Sequence, residues 1–344
     1  MTQASRCKLI KKIEDARGSK VICYVTSLRP GAVGQISDDA VREMIDHLRK
    51  LPSARIDKLD LFLVSNGGDG IVPWRLVPLF KEYAEHFNVL IPFRAYSAAT
   101  IMALGASEII MHRFGVLGPI DPTVTNDFNP VESNTNRRLG ISVEDVKSYI
   151  SFIRETVGIN HEEELVKTIE ILADKIHPLA LGNVERFLLQ SRMIARKLLE
   201  LHTEKDHLHK TDAIIEALAS KLYFHGHPIN RNEAIQLGLK VASDVPSDVE
   251  EAMWDLYVDF EQEMQFRVPF EPIGQLLAGL PANAGNPGVM EELARRDETI
   301  IWAMVESASF SSRFSNTTRY TVNSDPMKNV SIGQQVLSQR WDQT

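Results

Sequence analysis

Cysteine is scarce in this sequence: Cys7 and Cys23 are the whole complement of 344 residues. Two thiols at that spacing form neither a disulfide framework nor a zinc-finger pattern, so a reducing compartment is expected. A long apolar run is also missing. No uncharged stretch approaches the ~20 residues that a membrane-spanning helix needs. The opening residues, Met1-Thr2-Gln3-Ala4-Ser5-Arg6-Cys7-Lys8, lack the apolar core of a signal peptide. Excess basic charge is absent as well, since 38 Lys and Arg stand against 46 Asp and Glu, a net charge of −8. Nucleic-acid binding rests on clustered cations that neutralise phosphates, so that class is set aside. No repeat, low-complexity tract or Gly-x-x-x-x-Gly-Lys-Ser phosphate loop interrupts the chain. These absences predict a soluble cytoplasmic protein with no nucleic-acid or membrane partner and no nucleotide site of its own.

What is present is an ordinary globular composition, 44% hydrophobic and 24% charged, in a chain longer than one compact core needs. A main domain with a substantial appendage is expected. Strand and helix signals alternate along the first third. Val21–Thr26, Leu59–Val64, Val89–Phe93 and Glu108–Met111 read as strands. Between them come a helix opened by Ser37-Asp38-Asp39 and carrying Val41, Met44, Ile45 and Leu48 on one side, a helix over Trp74–Phe87, and one behind Ser97. That rhythm predicts an α/β fold with a mainly parallel sheet, whose ligands lie beyond the carboxyl ends of the strands.

After Gly118-Pro119-Ile120-Asp121-Pro122 a polar loop follows over 123–140, then helices near 142–157, 161–175, 179–202 and 209–222. Asn160 with Glu163 has the spacing of a capping box. A short helix over Arg231–Leu237 and an amphipathic one over 247–266 come next. We therefore divide the chain into a main domain over 1–245, a helical extension over 246–277, a Gly/Pro/Asn-rich linker over 278–298 and a β-prone tail over 299–344. The apolar stretch around Trp302 in that tail is a candidate subunit contact.

Two small-residue turns, each at the end of a predicted strand, carry the chemistry. One is Val64-Ser65-Asn66-Gly67-Gly68-Asp69-Gly70 and the other Arg94-Ala95-Tyr96-Ser97-Ala98-Ala99-Thr100. A strand ending in Gly-Gly can turn its amides outward, because glycine has no Cβ to clash. A serine between small residues at a strand-to-helix junction is placed as a nucleophile. Together the turns suggest an oxyanion hole facing a hydroxyl. The plainer readings are a helix N-cap at Ser97 and a tight loop with no ligand at Gly67 and Gly68.

The order Asn66-Gly67-Gly68, Tyr96-Ser97-Ala98-Ala99-Thr100 and Gly118-Pro119-Ile120-Asp121-Pro122 resembles the Clp protease/crotonase superfamily. Within it the chain is most similar to the serine dehydrogenase proteinase family, relatives of signal peptide peptidase A. The later string Tyr223-Phe224-His225-Gly226-His227-Pro228-Ile229, followed by Glu233-Ala234 and Leu237-Gly238-Leu239, extends the resemblance over roughly 15–245. It implies serial ββα units, a helical lower half, self-association as a homo-oligomer, and a serine peptidase acting on a polypeptide without a cofactor. It further implies Ser97 as nucleophile, the amides of Gly68 and Ala98 as oxyanion donors, and Gly67, Gly118, Pro119, Ile120 and Asp121 along the substrate path. Relatives commonly carry glycines after the serine. Ala98 and Ala99 depart from this and are expected to restrict the turn.

The general base stays open. Signal peptide peptidase relatives use a lysine about fifty residues after the serine, and Lys147 stands there, between the acidic pair Glu144-Asp145 and Ser148. A lysine works as a base only when its amine is neutral. Asp121, Lys221, His225 and His227 are the competing acceptors. The two imidazoles of His225-Gly226-His227 also raise a metal reading, which the absence of a third nearby ligand disfavours. Two other classes compete with the peptidase: an inert oligomeric scaffold of the same fold, and a crotonase-type acyl-CoA enzyme.

Overall fold

A computed structural model of the chain describes residues 3–120, 123–124, 127–132, 138–202, 208–221, 227–280 and 288–344. The apolar alternation of the early segments becomes four parallel strands, β1 (Lys20–Thr26), β2 (Ile56–Val64), β3 (Ala84–Ile91) and β4 (Glu108–Met111). Tyr24 pairs with Leu63, Leu61 with Val89 and Leu90 with Ile110, so every second side chain falls on the same face. Ile22, Tyr24, Leu61, Leu63, Val89 and Ile91 point into one cluster with helices α2 (Ala40–Arg49), α3 (Val72–Tyr83) and α4 (Ala98–Leu104). Val21, Cys23, Val25, Phe62, Val64 and Leu90 point into the other, with Ile10 and Ile13 of α1 (Gln3–Arg17) and a long helix near the C-terminus. Burial on both faces explains why these strands read as continuous apolar runs.

Short strands follow β3 and β4 beyond the sheet. Arg94–Ala95 pairs with Val116–Leu117, and Ile229–Asn230 pairs on the far side of that strand. The result is a shelf at the carboxyl ends of β1–β4, which gives the fold its ββα repeat. The helical half follows as α5 (Val143–Ser151), α6 (Glu162–Lys175), α7 (Pro178–Glu200), α8 (Leu208–Glu216) and the short α9 (Arg231–Gln236). Among the described residues no helix is long and apolar enough to cross a membrane.

The structure changes some local expectations and adds one helix. The helix expected over Trp74–Phe87 stops at Tyr83, and Ala84–Phe87 are already strand, because β2 begins at Ile56 and offers partners to Ala84 and Phe87. α6 is capped at His161 rather than through Asn160. Helix α1 carries no strong sequence signal and is anchored by a buried arginine, Arg6. The C-terminal region is built into the same sheet. α10 (Ser247–Glu263) covers the second face with Val249, Met253, Leu256 and Phe260, and α11 (Pro272–Ala278) follows. Strand β5 (Glu291–Ser307) starts inside the segment expected as linker, and its residues Ala303–Ser307 pair antiparallel with Thr26–Ile22 of β1. The stretch around Trp302 therefore meets its own chain. β6 (Ser311–Ser324) and β7 (Val330–Gln343) complete a seven-stranded sheet in the order β7-β6-β5-β1-β2-β3-β4.

Candidate active site

Ser97 stands where the chain leaves the shelf and enters α4. Its backbone has φ +53° and ψ −114°, a region in which a side chain with a Cβ is strained. The surroundings enforce that conformation. The Tyr96 amide donates to the Ser65 carbonyl at 3.0 Å, the Ala99 amide to the Tyr96 carbonyl at 3.0 Å, and the Ile101 amide to the Ser97 carbonyl at 3.0 Å. Thr100 Oγ1 lies 2.8 Å from both the Ala95 and Gly118 carbonyls and ties the first turn of α4 to the shelf. A capping serine would sit in the extended region and accept an amide of the first turn. The hydroxyl of Ser97 makes no such bond, and its side chain is half-exposed. The turn into α4 is sharp, and the serine itself bears the positive φ. Ala98 and Ala99 have negative φ and are helical, so the expected restriction by their methyl groups does not arise.

The Gly-Gly loop is braced against this turn. Ser65 Oγ receives the Thr26 hydroxyl at 2.8 Å and the Gly67 amide at 3.0 Å. The Gly67 carbonyl accepts the Ile36 amide at 2.7 Å, and the Asp69 amide donates to the Ile36 carbonyl at 2.8 Å. Gly67 has φ +100°, and a Cβ there would lie 2.8 Å from Cβ of Ser97 and 2.7 Å from the Tyr96 carbonyl oxygen. Gly68 has φ +150°, and its Cβ would fall 2.3 Å from the Ile36 carbonyl oxygen. Only glycine fits either position. Among the described residues the amides of Gly68 and Ala98 donate to no acceptor, and Gly68 is exposed while Gly67 is buried. Among the described residues two amides without an acceptor and a hydroxyl without a cap bond thus stand on these two adjoining turns.

Arg94 is a neighbour that sequence reasoning passed over. Its guanidinium lies 5.2 Å over the Tyr96 ring and 3.4 Å from Asn66 Oδ1, and its buried Nε has no partner. Ile36, Ser65 and Thr26 were equally silent in the sequence, because their roles come from pairings across the sheet.

The remaining candidates are placed as follows. Gly118, Pro119 and Ile120 are buried. The Gly118 amide donates to the Ala95 carbonyl, the Ile120 amide to the Leu218 carbonyl, and the Ile120 carbonyl accepts Ser191 Oγ at 2.8 Å. These bonds tie Gly118 to the shelf behind the turn and Ile120 to the helical half. Asp121 lies outside the described residues, as do His225 and the side chain of Lys221. Lys147, on α5, is half-buried and makes no hydrogen bond or ion pair among the described residues. α4 and α5 both pack on α7. His227 is 2.8 Å from Glu233 Oε1. His202 is half-buried against the C-terminus of α4, with Nε2 2.7 Å from the Leu104 carbonyl, and burial lowers its pKa. Among the described residues no three His, Cys, Asp or Glu side chains cluster as metal ligands.

A sequence profile of ClpP-like SDH-type serine proteinases matches residues 1–177. The chain is 25% identical over 253 residues to the uncharacterized protein MJ0137 of Methanocaldococcus jannaschii, covering 72% of this chain and 77% of that one. It is 26% identical over 258 residues to MJ1495 of the same organism, covering 73% and 76%. Among solved structures, the 1510-N membrane-bound stomatin-specific protease superposes with a TM-score of 0.34 at 14% identity, over 62% of this chain and 77% of that one. A peptidase from Plasmodium falciparum gives 0.32 at 13% identity, over 69% and 98%.

Proposed function

The chain belongs to the ClpP-like SDH-type serine proteinases, and from that premise we propose that it hydrolyses peptide bonds through an acyl-enzyme on Ser97. The observation that carries the reading is the positive-φ turn at Ser97 beside the amides of Gly68 and Ala98, which have no acceptor among the described residues. Ser97 Oγ attacks the scissile carbonyl carbon while its proton passes to the base. The carbonyl oxygen becomes an oxyanion held by the two amides. The C–N bond then breaks as the base returns the proton to the departing amine, and water releases the acyl group by the same steps. One oxyanion donor is worth about 2.7–4 kcal/mol of transition-state stabilisation. The loop therefore weighs as much as the nucleophile.

For the base we assign Lys147. Three features support it: its half-buried side chain, the lack of a carboxylate partner among the described residues, and the packing of α5 on the same helix that supports α4. The substrate is a polypeptide. The test is intact-mass analysis after treatment with a fluorophosphonate probe. Wild type is expected to gain one adduct, Ser97→Ala none, and Lys147→Ala is expected to label at least about a hundredfold more slowly. A folded wild type that stays unlabelled would remove the peptidase reading and leave the oligomeric scaffold in its place.

A further inference from the structure

The sheet ends in an edge that nothing covers. β7 is hydrogen-bonded to β6 along its length, from the Ser312–Gln343 pair to the Ser324–Val330 pair, and among the described residues its other side has no strand. Proteins usually blunt such an edge with lysine, proline or a covering element. Here residues 330–339, Val-Ser-Ile-Gly-Gln-Gln-Val-Leu-Ser-Gln, contain no charge and no proline. Val330, Ile332 and Val336 are 50%, 45% and 57% exposed. The register places Glu291 of β5, Ser324 of β6 and Val330 of β7 in one row, so the exposed Val289, Met290 and Met327 gather at the same end of the sheet. An uncharged strand edge with exposed apolar side chains on it is open to pairing with another strand.

We propose that this edge pairs antiparallel with the β7 edge of a second copy of the chain, about a twofold axis at Gln334. An edge meeting itself in this way is isologous, since each copy supplies the same donors and acceptors. Centring on Gln334 sets Ile332 opposite the second copy's Val336, and Val336 opposite its Ile332. Gly333 and Gln335 face each other between them. The bulge at Leu337, where the β6 register shifts between Thr317 and Thr318, ends the regular stretch. The paired core is therefore Ile332–Val336. Like charges facing one another are what self-pairing must avoid, and this segment has none to oppose. A charged peptide would find no complementary charge here, which favours a second copy as the occupant.

The test uses the full chain in sedimentation velocity over a concentration series. Wild type is expected to dimerise or to assemble in multiples of two. Gln334→Lys, at an exposed position, sets two ammonium groups facing each other on the axis. It is expected to weaken the dimer by about tenfold or more with an unchanged melting curve. Gln334→Cys is expected to give a disulfide-linked dimer under mild oxidation, which wild type does not. A wild type that remains monomeric, or an assembly indifferent to Gln334→Lys and uncrosslinked by Gln334→Cys, overturns the proposal.

Discussion

Strain at a single residue is the firmest sign of chemistry in this molecule. Serine at φ +53° is held against its preference by bonds from Tyr96, Ala99 and Thr100, at a cost of order 1–3 kcal/mol. Glycine relieves that cost, whereas alanine keeps the Cβ that causes it. Ser97→Gly is therefore expected to be more stable than Ser97→Ala by about 1 kcal/mol in urea titration, after the entropy of glycine in the unfolded chain is deducted. Equal stabilities would mean that the backbone is at ease and the turn has no stored strain. The glycines opposite predict the reverse. Gly67→Ala drives a methyl group to 2.8 Å from Ser97 Cβ. It should lower kcat/KM by about a hundredfold or more by displacing the amides proposed as oxyanion donors, measured on any peptide substrate the wild type cleaves. Ser97, Gly67 and Gly68 were legible in the sequence because a turn of small residues at a strand end is a local signal. Ile36, Ser65 and Thr26, which hold that turn, were illegible because each acts through a partner tens of residues away. The concern over Ala98 and Ala99 dissolves for a related reason: sequence shows which residue lacks a Cβ, but not which residue takes the positive φ.

Between elements, the decisive contacts are buried polar ones. The Arg6 guanidinium of α1 bonds Glu306 of β5 at 3.0 Å and Asp259 of α10 at 3.0 Å, and all three side chains are excluded from water. Arg6→Met leaves two buried carboxylates without a cation and should cost about 3–5 kcal/mol in urea unfolding. Burial raises the pKa of the Glu306 carboxyl. In the mutant that carboxyl can take up a proton, so the loss should shrink as pH falls from 8 to 5. His47 of α2 makes a second join. It stacks on Phe310 at 3.8 Å, with Nδ1 2.9 Å from Ser307 Oγ. Burial, with help from Lys50 and against Asp46, lowers its pKa from 6.5 to about 4. The unfolded chain binds the proton more readily than the folded one. This contribution is therefore complete above pH 6.5 and is lost as pH falls towards 4, by at most about 3 kcal/mol. His47→Gln should flatten that part of the stability–pH curve, and an unchanged slope would assign it to other groups. The helices that packed by periodicity, such as α2 and α10, were legible. α1 was not, because its place depends on an arginine whose partners lie at 259 and 306. The boundary at Tyr83 and Ala84 was also hidden, since the partner strand sets it.

At the scale of the whole molecule, the C-terminal strands continue the sheet of the front half. Sequence composition changes near 245 and again near 278, and it suggests a core followed by appendages. In three dimensions β1 lies inside the sheet between β2 and β5, and Ala303–Ser307 occupy the side of Ile22–Thr26 that β2 does not. α10 supplies Met253, Leu256, Tyr257 and Phe260 to the cluster over Phe62, Val64 and Leu90. A chain ending at residue 245 would expose both that apolar face and the β1 edge, and would leave Arg6 buried without Glu306 or Asp259. Losing one large buried aromatic side chain costs about 3–5 kcal/mol, and this truncation removes Phe260 together with the buried Met253, Leu256 and Tyr257. Such losses exceed the 5–15 kcal/mol that holds a typical domain together. Residues 1–245 alone are thus expected to lack a cooperative melt by circular dichroism and to remain unlabelled by the fluorophosphonate probe. Adding back residues 246–344 as a separate chain should restore both signals, because it returns the strand beside β1 and the helix over the second face that the sheet needs in order to fold. A 1–245 fragment that melts cooperatively and labels like the full chain would show that the C-terminal strands decorate the sheet without completing it.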